Sequence, residues 1–202
     1  RESSDTGNVY TYNRLPFLTT IRTGAPSLIA ADRHIRSSLF MLNYGSNWAL
    51  DHDDGSSWYV DSGNVQLYSG TKHSTFRNGG HSKRTTHNLL LFPDASEKFQ
   101  AQKACASGYG YFELFINNTC ALLHGNTPYG DGCPNNGVQS TKVLRANNSY
   151  LFPKGRFQLV CSGKNWSSLK EAQRNGQELG TSIRPLPLVE VLVERAQTML
   201  GM

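Results

Sequence analysis

The sequence predicts an all-β chain wound as a parallel β-helix solenoid and closed by a C-terminal helical cap. Three observations lead there. The composition is poor in charge and rich in turn formers. A short strand that follows an Asn recurs at a loose, coil-sized interval. Helical periodicity enters only near the end of the chain.

Of the 202 residues, 38% are hydrophobic and 17% are charged, and 19 are Gly. Both percentages are low for a globular domain, and the balance suits a turn-rich β structure better than a helical bundle. Short apolar or alternating runs predict strands near Ile35–Leu42, Trp58–Val60, Val65–Tyr68, Leu89–Phe92, Tyr111–Ile116, Lys142–Arg145 and Phe157–Val160. The intervals from Asn43 to Asn64, Asn88, Asn117 and Asn147 are 21, 24, 29 and 30 residues, in the range of solenoid coils. Asn suits such a corner because it tolerates left-handed backbone and its amide can bond a stacked neighbour. An antiparallel sandwich or barrel would also be turn-rich, but two-residue hairpin signals are scarce between the runs.

Ser167-Ser168-Leu169-Lys170-Glu171-Ala172-Gln173 carries a Ser cap and an acid in its first turn, with Gly176 or Gly180 to stop it. Beyond Pro185 and Pro187, Leu188, Leu192, Ala196 and Met199 recur at helical spacing. The chain therefore divides into coils over 1–165 and a helical cap over 166–202, the cap covering the last open coil. An open first coil exposes strand edges, so upstream coils or another chain are expected to stack on the N-terminal end.

No apolar run is long enough to span a membrane. The net charge is +5, but the basic residues are scattered, the tightest group being Lys83-Arg84. Such a surface does not single out nucleic acid. Asn117, Asn147 and Asn165 each open an N-glycosylation sequon. Cys105, Cys120, Cys133 and Cys161 lack the close pairs of a zinc site. Their even count beside the sequons points to disulfides in a secreted or cell-surface protein, with three connectivities open.

Glu2 to Tyr12 with Arg14, then Asp53-Asp54-Gly55-Ser56, Gly79 to Lys83 with His87-Asn88-Leu89, and Leu169 to Gln173 with Gly176 and Gly180-Thr181-Ser182 resemble, in this order, segments of bacterial and algal right-handed β-helix proteins. Ala172 stands where those proteins usually carry Trp, and Gln177 or Glu178 near their usual Asp. The resemblance covers most of the chain and matches the last third of those longer proteins. It implies a right-handed helix of the pectin-lyase-like kind. That group holds glycoside hydrolases, lyases, epimerases and non-catalytic surface proteins, so the fold alone does not assign an activity.

Asp51, His52, Asp53 and Asp54 form the densest polar cluster. Strand alternation puts Asp51 and Asp53 on one side and His52 and Asp54 on the other. Glycoside hydrolysis needs two carboxylates, which Asp53 or Asp54 and Asp5 can supply, with His81 and Lys83 about one coil later. Trp48, Trp58 and Tyr59 are candidates for stacking on sugar rings and His52 for a polar contact to them. The expected partner is a polysaccharide and the expected chemistry glycoside hydrolysis. No resident metal or cofactor is expected, although a lyase-type mechanism would recruit calcium through the Asp side chains. The alternative is a non-catalytic structural or glycan-binding component of a surface or filament assembly. In that case the same Asp residues serve as turn caps.

Overall fold

In the computed structural model of the chain, the residues described are 7–12, 32–41, 48–53, 55–73, 80–95, 105–108, 113–124, 128–130, 143–153, 157–161 and 164–202. The strands follow in triplets: β1 (Gly7–Thr11), β2 (Arg33–Arg36) and β3 (Leu39–Phe40); β4 (Trp48–His52), β5 (Tyr59–Ser62) and β6 (Val65–Leu67); β7 (Gly70–His73), β8 (Arg84–Thr86) and β9 (Leu89–Leu91). Two more triplets are β10 (Ala106–Gly108), β11 (Glu113–Ile116) and β12 (Thr119–Ala121), then β13 (Tyr129–Gly130), β14 (Val143–Ala146) and β15 (Ser149–Phe152). The first members form one sheet, ordered β1-β4-β7-β10-β13, and the second members another, β2-β5-β8-β11-β14. The third members, extended by β18 (Ser182–Pro185), form the sheet β3-β6-β9-β12-β15-β18. Every pairing inside these three sheets is parallel.

The run Ile35–Leu42, expected as one strand, is split into β2 and β3 at Ser37. Ser37 takes φ 49°, and Gly63, His87, Asn117, Asn147 and Gly180 take positive φ at the same corner of later rounds. One left-handed residue turns the chain from the second sheet to the third. The following residue then bonds from round to round. The Asn64, Asn88 and Asn118 backbone N–H groups donate to the side-chain Oδ1 of Asn88, Asn118 and Asn148 at 2.9, 3.0 and 2.9 Å. Ser38 opens this series on Asn64, and Thr181 closes it by accepting from Asn148 N–H. Each Asn Nδ2 also donates to a second-sheet carbonyl of the preceding round: Ile35, Asp61, Thr85 and Phe115 at 2.8–3.0 Å. The sequence repeat was counted through Asn117 and Asn147. The structure moves the bonding role to Asn118 and Asn148, because the first Asn of each pair is spent on the left-handed turn.

One core cluster draws on all three sheets: Cys105 and Ala106 from the first, Phe115 from the second, and Leu90, Cys120 and Tyr150 from the third. Cys105 and Cys120 are disulfide-bonded, with Cα atoms 6.0 Å apart. Cys161 lies in β16 (Leu159–Cys161), and Cys133 lies outside the described residues. A second cluster, of Val65, Leu89, Leu91, Ala121 and Leu151, covers the opposite face of the third sheet. The middle of that sheet is apolar on both faces, so β9 reads as the unbroken run Leu89-Leu90-Leu91.

The two helices serve different surfaces. α1 (Leu169–Arg174) starts at Ser168, whose Oγ accepts the Glu171 N–H. It adds Ala172 to the three-sheet core, beside Phe157 and Leu159. β16 pairs antiparallel with β17 (Lys164–Trp166). α2 (Val189–Leu200), expected to cover the last coil, instead lies along the outer face of the third sheet. Leu192 is buried there with Ala196, Met199 and Leu200 against it, and Arg195 bonds Thr119 at 2.6 Å. The apolar row Leu67-Leu91-Ala121-Leu151, with Val65 and Leu89 beside it, accounts for this position, since the apolar stripe of a helix covers it. Among the described residues no helix is long and apolar enough to cross a membrane.

The ladder yields a contrast within one Asn pair. Asn118→Ala strips a buried rung of its bonds and should cost about 1–3 kcal/mol in chemical unfolding. Asn117→Gly, at an exposed left-handed position, should leave stability unchanged or raise it. Equal losses at the two positions would contradict the division of roles.

Candidate functional site

Alternation in β4 decides which polar side chains look inward. β1 pairs with β4 so that Tyr10 lies opposite Asp51 and Thr11 opposite His52. Thr11 and His52 point into the molecule. Thr11 Oγ1 lies 2.9 Å from His52 Nδ1 and 2.8 Å from Ser56 Oγ, and His52 Nε2 lies 2.8 Å from Asp61 Oδ2. A hydroxyl, an imidazole and a carboxylate in that order are the groups of an acyl-transfer relay. Here His52 and Asp61 are fully buried and Ser56 nearly so, which leaves no room for a substrate. This row is an interior hydrogen-bond chain, and it takes His52 away from any sugar-contacting surface. Tyr59 belongs to the same interior group. Its ring stacks on His52 at 4.5 Å, and the Arg33 guanidinium lies 5.5 Å from its centroid.

Lys83, expected beside the carboxylates of the preceding coil, also points inward. Its Nζ lies 2.7 Å from Glu113 Oε1 and donates to the Ser56 carbonyl at 3.0 Å, with both side chains of the ion pair fully buried. A proton acceptor locked this way is out of reach of a bound glycan. Trp48 is buried as well. Three residues before Lys83, Gly80 lies against the preceding strand triplet, where an added Cβ would come within 2.7 Å of the Ser56 carbonyl oxygen. That close approach seats His81 under the Ser57–Trp58 corner. The His81 N–H donates to Ser57 Oγ, and its ring meets Trp58 edge-on at 5.0 Å. Burial lowers the His81 pKa below the ordinary 6.5 and the Lys83 cation lowers it further, against an opposing pull from Glu113.

The opposite side of β1 and β4 carries the candidate site. Asp53 follows β4 on the Asp51 side, and its Oδ2 accepts the Tyr10 phenol at 2.7 Å. Tyr10 and Tyr12 are 46% and 45% exposed, with ring centroids 6.3 Å apart and planes 15° from parallel. Asp51, between Tyr10 and Lys72 in the register, is buried. The Asp53 carbonyl accepts the Ser56 N–H across a turn in which Gly55 has φ 80°, a glycine conformation. Asp5 and Asp54 lie outside the described residues. Tyr10 and Tyr12 were not singled out from sequence as contact residues. The signal available was their two-residue spacing in a strand, the same spacing that joins Asp51 to Asp53.

Asn117 and Asn147 sit exposed on adjacent rounds of the left-handed corner, and Asn165 lies in β17. Among the described residues no three His, Cys, Asp or Glu side chains gather as a metal-binding group. Searches against protein-family models, curated proteins and solved structures return no match to this chain.

The buried ion pair generates one prediction and His81 another. Glu113→Gln should cost about 3–5 kcal/mol by leaving the Lys83 charge uncompensated, whereas Lys83→Met with Glu113→Leu should lie far closer to the parent. A double substitution as damaging as the single one would show that the pair itself holds the fold. For His81, the folded chain binds its proton less readily than the unfolded chain. The unfolded state therefore takes up more protons below about pH 6.5. Stability present above that pH should fall as the solution is acidified, until the folded pKa is passed. His81→Asn should flatten this part of the curve, and an unchanged slope would remove His81 as its cause.

Proposed function

We propose that this chain forms part of an extracellular right-handed parallel β-helix that handles polysaccharide on the outer face of its first sheet, with glycoside hydrolysis as its chemistry. The rotation of successive strands through three parallel sheets supports the helical winding. Crossovers between parallel strands are right-handed because of strand twist. The pectin-lyase-like resemblance of the Asp53-Asp54-Gly55-Ser56 and Leu169 to Gln173 segments agrees with it.

The observation that carries the functional reading is the exposed, near-parallel Tyr10–Tyr12 pair beside the Asp53 carboxylate. Aromatic faces pack on the C–H faces of pyranose rings, and a carboxylate next to them can accept sugar hydroxyls or move a proton. Asp51, two residues away on the same side of the strand, is fully buried, so Asp5 or Asp54 is the candidate for the second carboxylate such hydrolysis needs. The interior position of Lys83 favours hydrolysis over a lyase mechanism with Lys83 as base. A second, binding-only reading is favoured by the burial of Asp51 and by the phenol already bonded to Asp53.

The test is a glycan array followed by assay of released reducing ends. Tyr10→Ala and Tyr12→Ala should each weaken glycan binding by about two- to twelve-fold, the equivalent of roughly 0.5–1.5 kcal/mol per aromatic contact. Asp53→Asn should keep binding and reduce turnover by about 10²–10⁴. Binding with no reducing ends released by the parent protein would select the binding-only reading. Failure to bind any glycan, or binding indifferent to both tyrosines, would remove this face from consideration.

A further inference from the structure

We propose that Asn117 is an N-glycan acceptor that is open only until α2 docks, so that the glycan is added to the growing chain and then sealed in place. In the reaction, Asn117 Nδ2 loses a proton and forms a bond to C1 of a sugar. The bond from that C1 to the diphosphate of a lipid-linked oligosaccharide breaks, and the lipid diphosphate leaves, with the proton passing to a carboxylate of the transferase and on to solvent.

The corner is built to carry the substituent. Asn117 is exposed at φ 58°, and the stabilising ladder runs through its neighbour Asn118. The Asn117 amide rests on His87 Nε2 at 3.3 Å. A glycosylated amide keeps one N–H for that contact. Asn147, on the next round, is more crowded, because its Oδ1 lies so close to Gly180 that an added Cβ there would overlap it.

The hydroxyl of the sequon sets the timing. Transfer needs the Thr119 side chain free to engage the amide, yet in the folded chain Thr119 is 2% exposed. Its Oγ1 accepts from Arg195 at 2.6 Å, and Arg195 belongs to α2. Residues 189–200 leave the ribosome well after 117–119, so the sequon passes the membrane-bound transferase before its cover exists.

This inference rests on the extracellular part of the reading above, and the experiment separates the two. The full chain is produced in secretory eukaryotic cells behind a secretion leader, and its peptides are mapped after enzymatic deglycosylation that marks each occupied Asn as Asp. Asn117 should be occupied in most secreted molecules and bare in Thr119→Ala. In a second arm, folded chain made without glycans is incubated with oligosaccharyltransferase and lipid-diphosphate oligosaccharide. It should stay unmodified at Asn117, while the denatured, reduced chain accepts. A bare Asn117 in secreted molecules, or a folded chain modified as fast as the denatured one, overturns the proposal. Because the leader supplies entry to the secretory route, these failures leave the extracellular reading intact. That reading fails by itself if the protein of its own cells is absent from the medium and the cell surface.

Discussion

The fold depends on the buried asparagine series Asn64–Asn88–Asn118–Asn148. At each round the chain must pass from the second sheet to the third through a left-handed residue, and that residue interrupts the regular ladder of backbone bonds. The Asn amide repairs the interruption in both directions. Its Oδ1 takes the N–H of the preceding round, and its Nδ2 reaches a carbonyl of that round's second-sheet strand. Backbone bonds such as Thr119 N–H to the Asn88 carbonyl at 2.8 Å then continue on the far side of the corner. Each bond contributes only about 1 kcal/mol net, but leaving one of these interior groups unpaired costs more. The series fixes where successive rounds lie on each other, and with that the register of all three sheets.

Register explains why the interior tolerates so much polarity. Inward positions of the second sheet include Asp61, Lys83, Thr85, Glu113 and Arg145, all buried. Asp61 is matched to His52 of the first sheet, and Lys83 to Glu113 one round on. At the end of the series Glu178 accepts from Tyr150, Thr181 and Asn148. Buried charge is tolerable only with partners at hydrogen-bond distance, which in-register stacking supplies repeatedly. The third sheet follows the opposite course. It is largely apolar on both faces, with the three-sheet core on one side and α2 on the other.

These demands sort the polar residues of the first sheet. His52 of the first sheet, like Lys83 of the second, is drawn inside by alternation, because each occupies an inward position with a charged partner there. Asp53 and the two tyrosines lie on the other side of the strands, where Tyr10 bonds Asp53 and both tyrosines are exposed. The candidate site is thus what the interior network did not absorb.

The sequence by itself determined that the chain would be built of short strands with Asn at the corners and helices late. Those features are local, since left-handed tolerance, alternation and helical spacing are properties of a few consecutive residues. It also determined that Asp51 and Asp53 share a side, because alternation has a fixed period of two. Only the tertiary structure decided which side faces outward, which Asn of each pair carries the ladder, and that Cys105 pairs with Cys120. The same holds for α2, whose apolar stripe announces that it must be covered without saying by what. Residues 24–33 positions apart are brought into contact by the parallel pairing of strands from successive triplets. That spacing is set by loop lengths that vary from one strand triplet to the next, so inspection of neighbouring residues could not place Lys83 against Glu113 or Asn118 against Asn148.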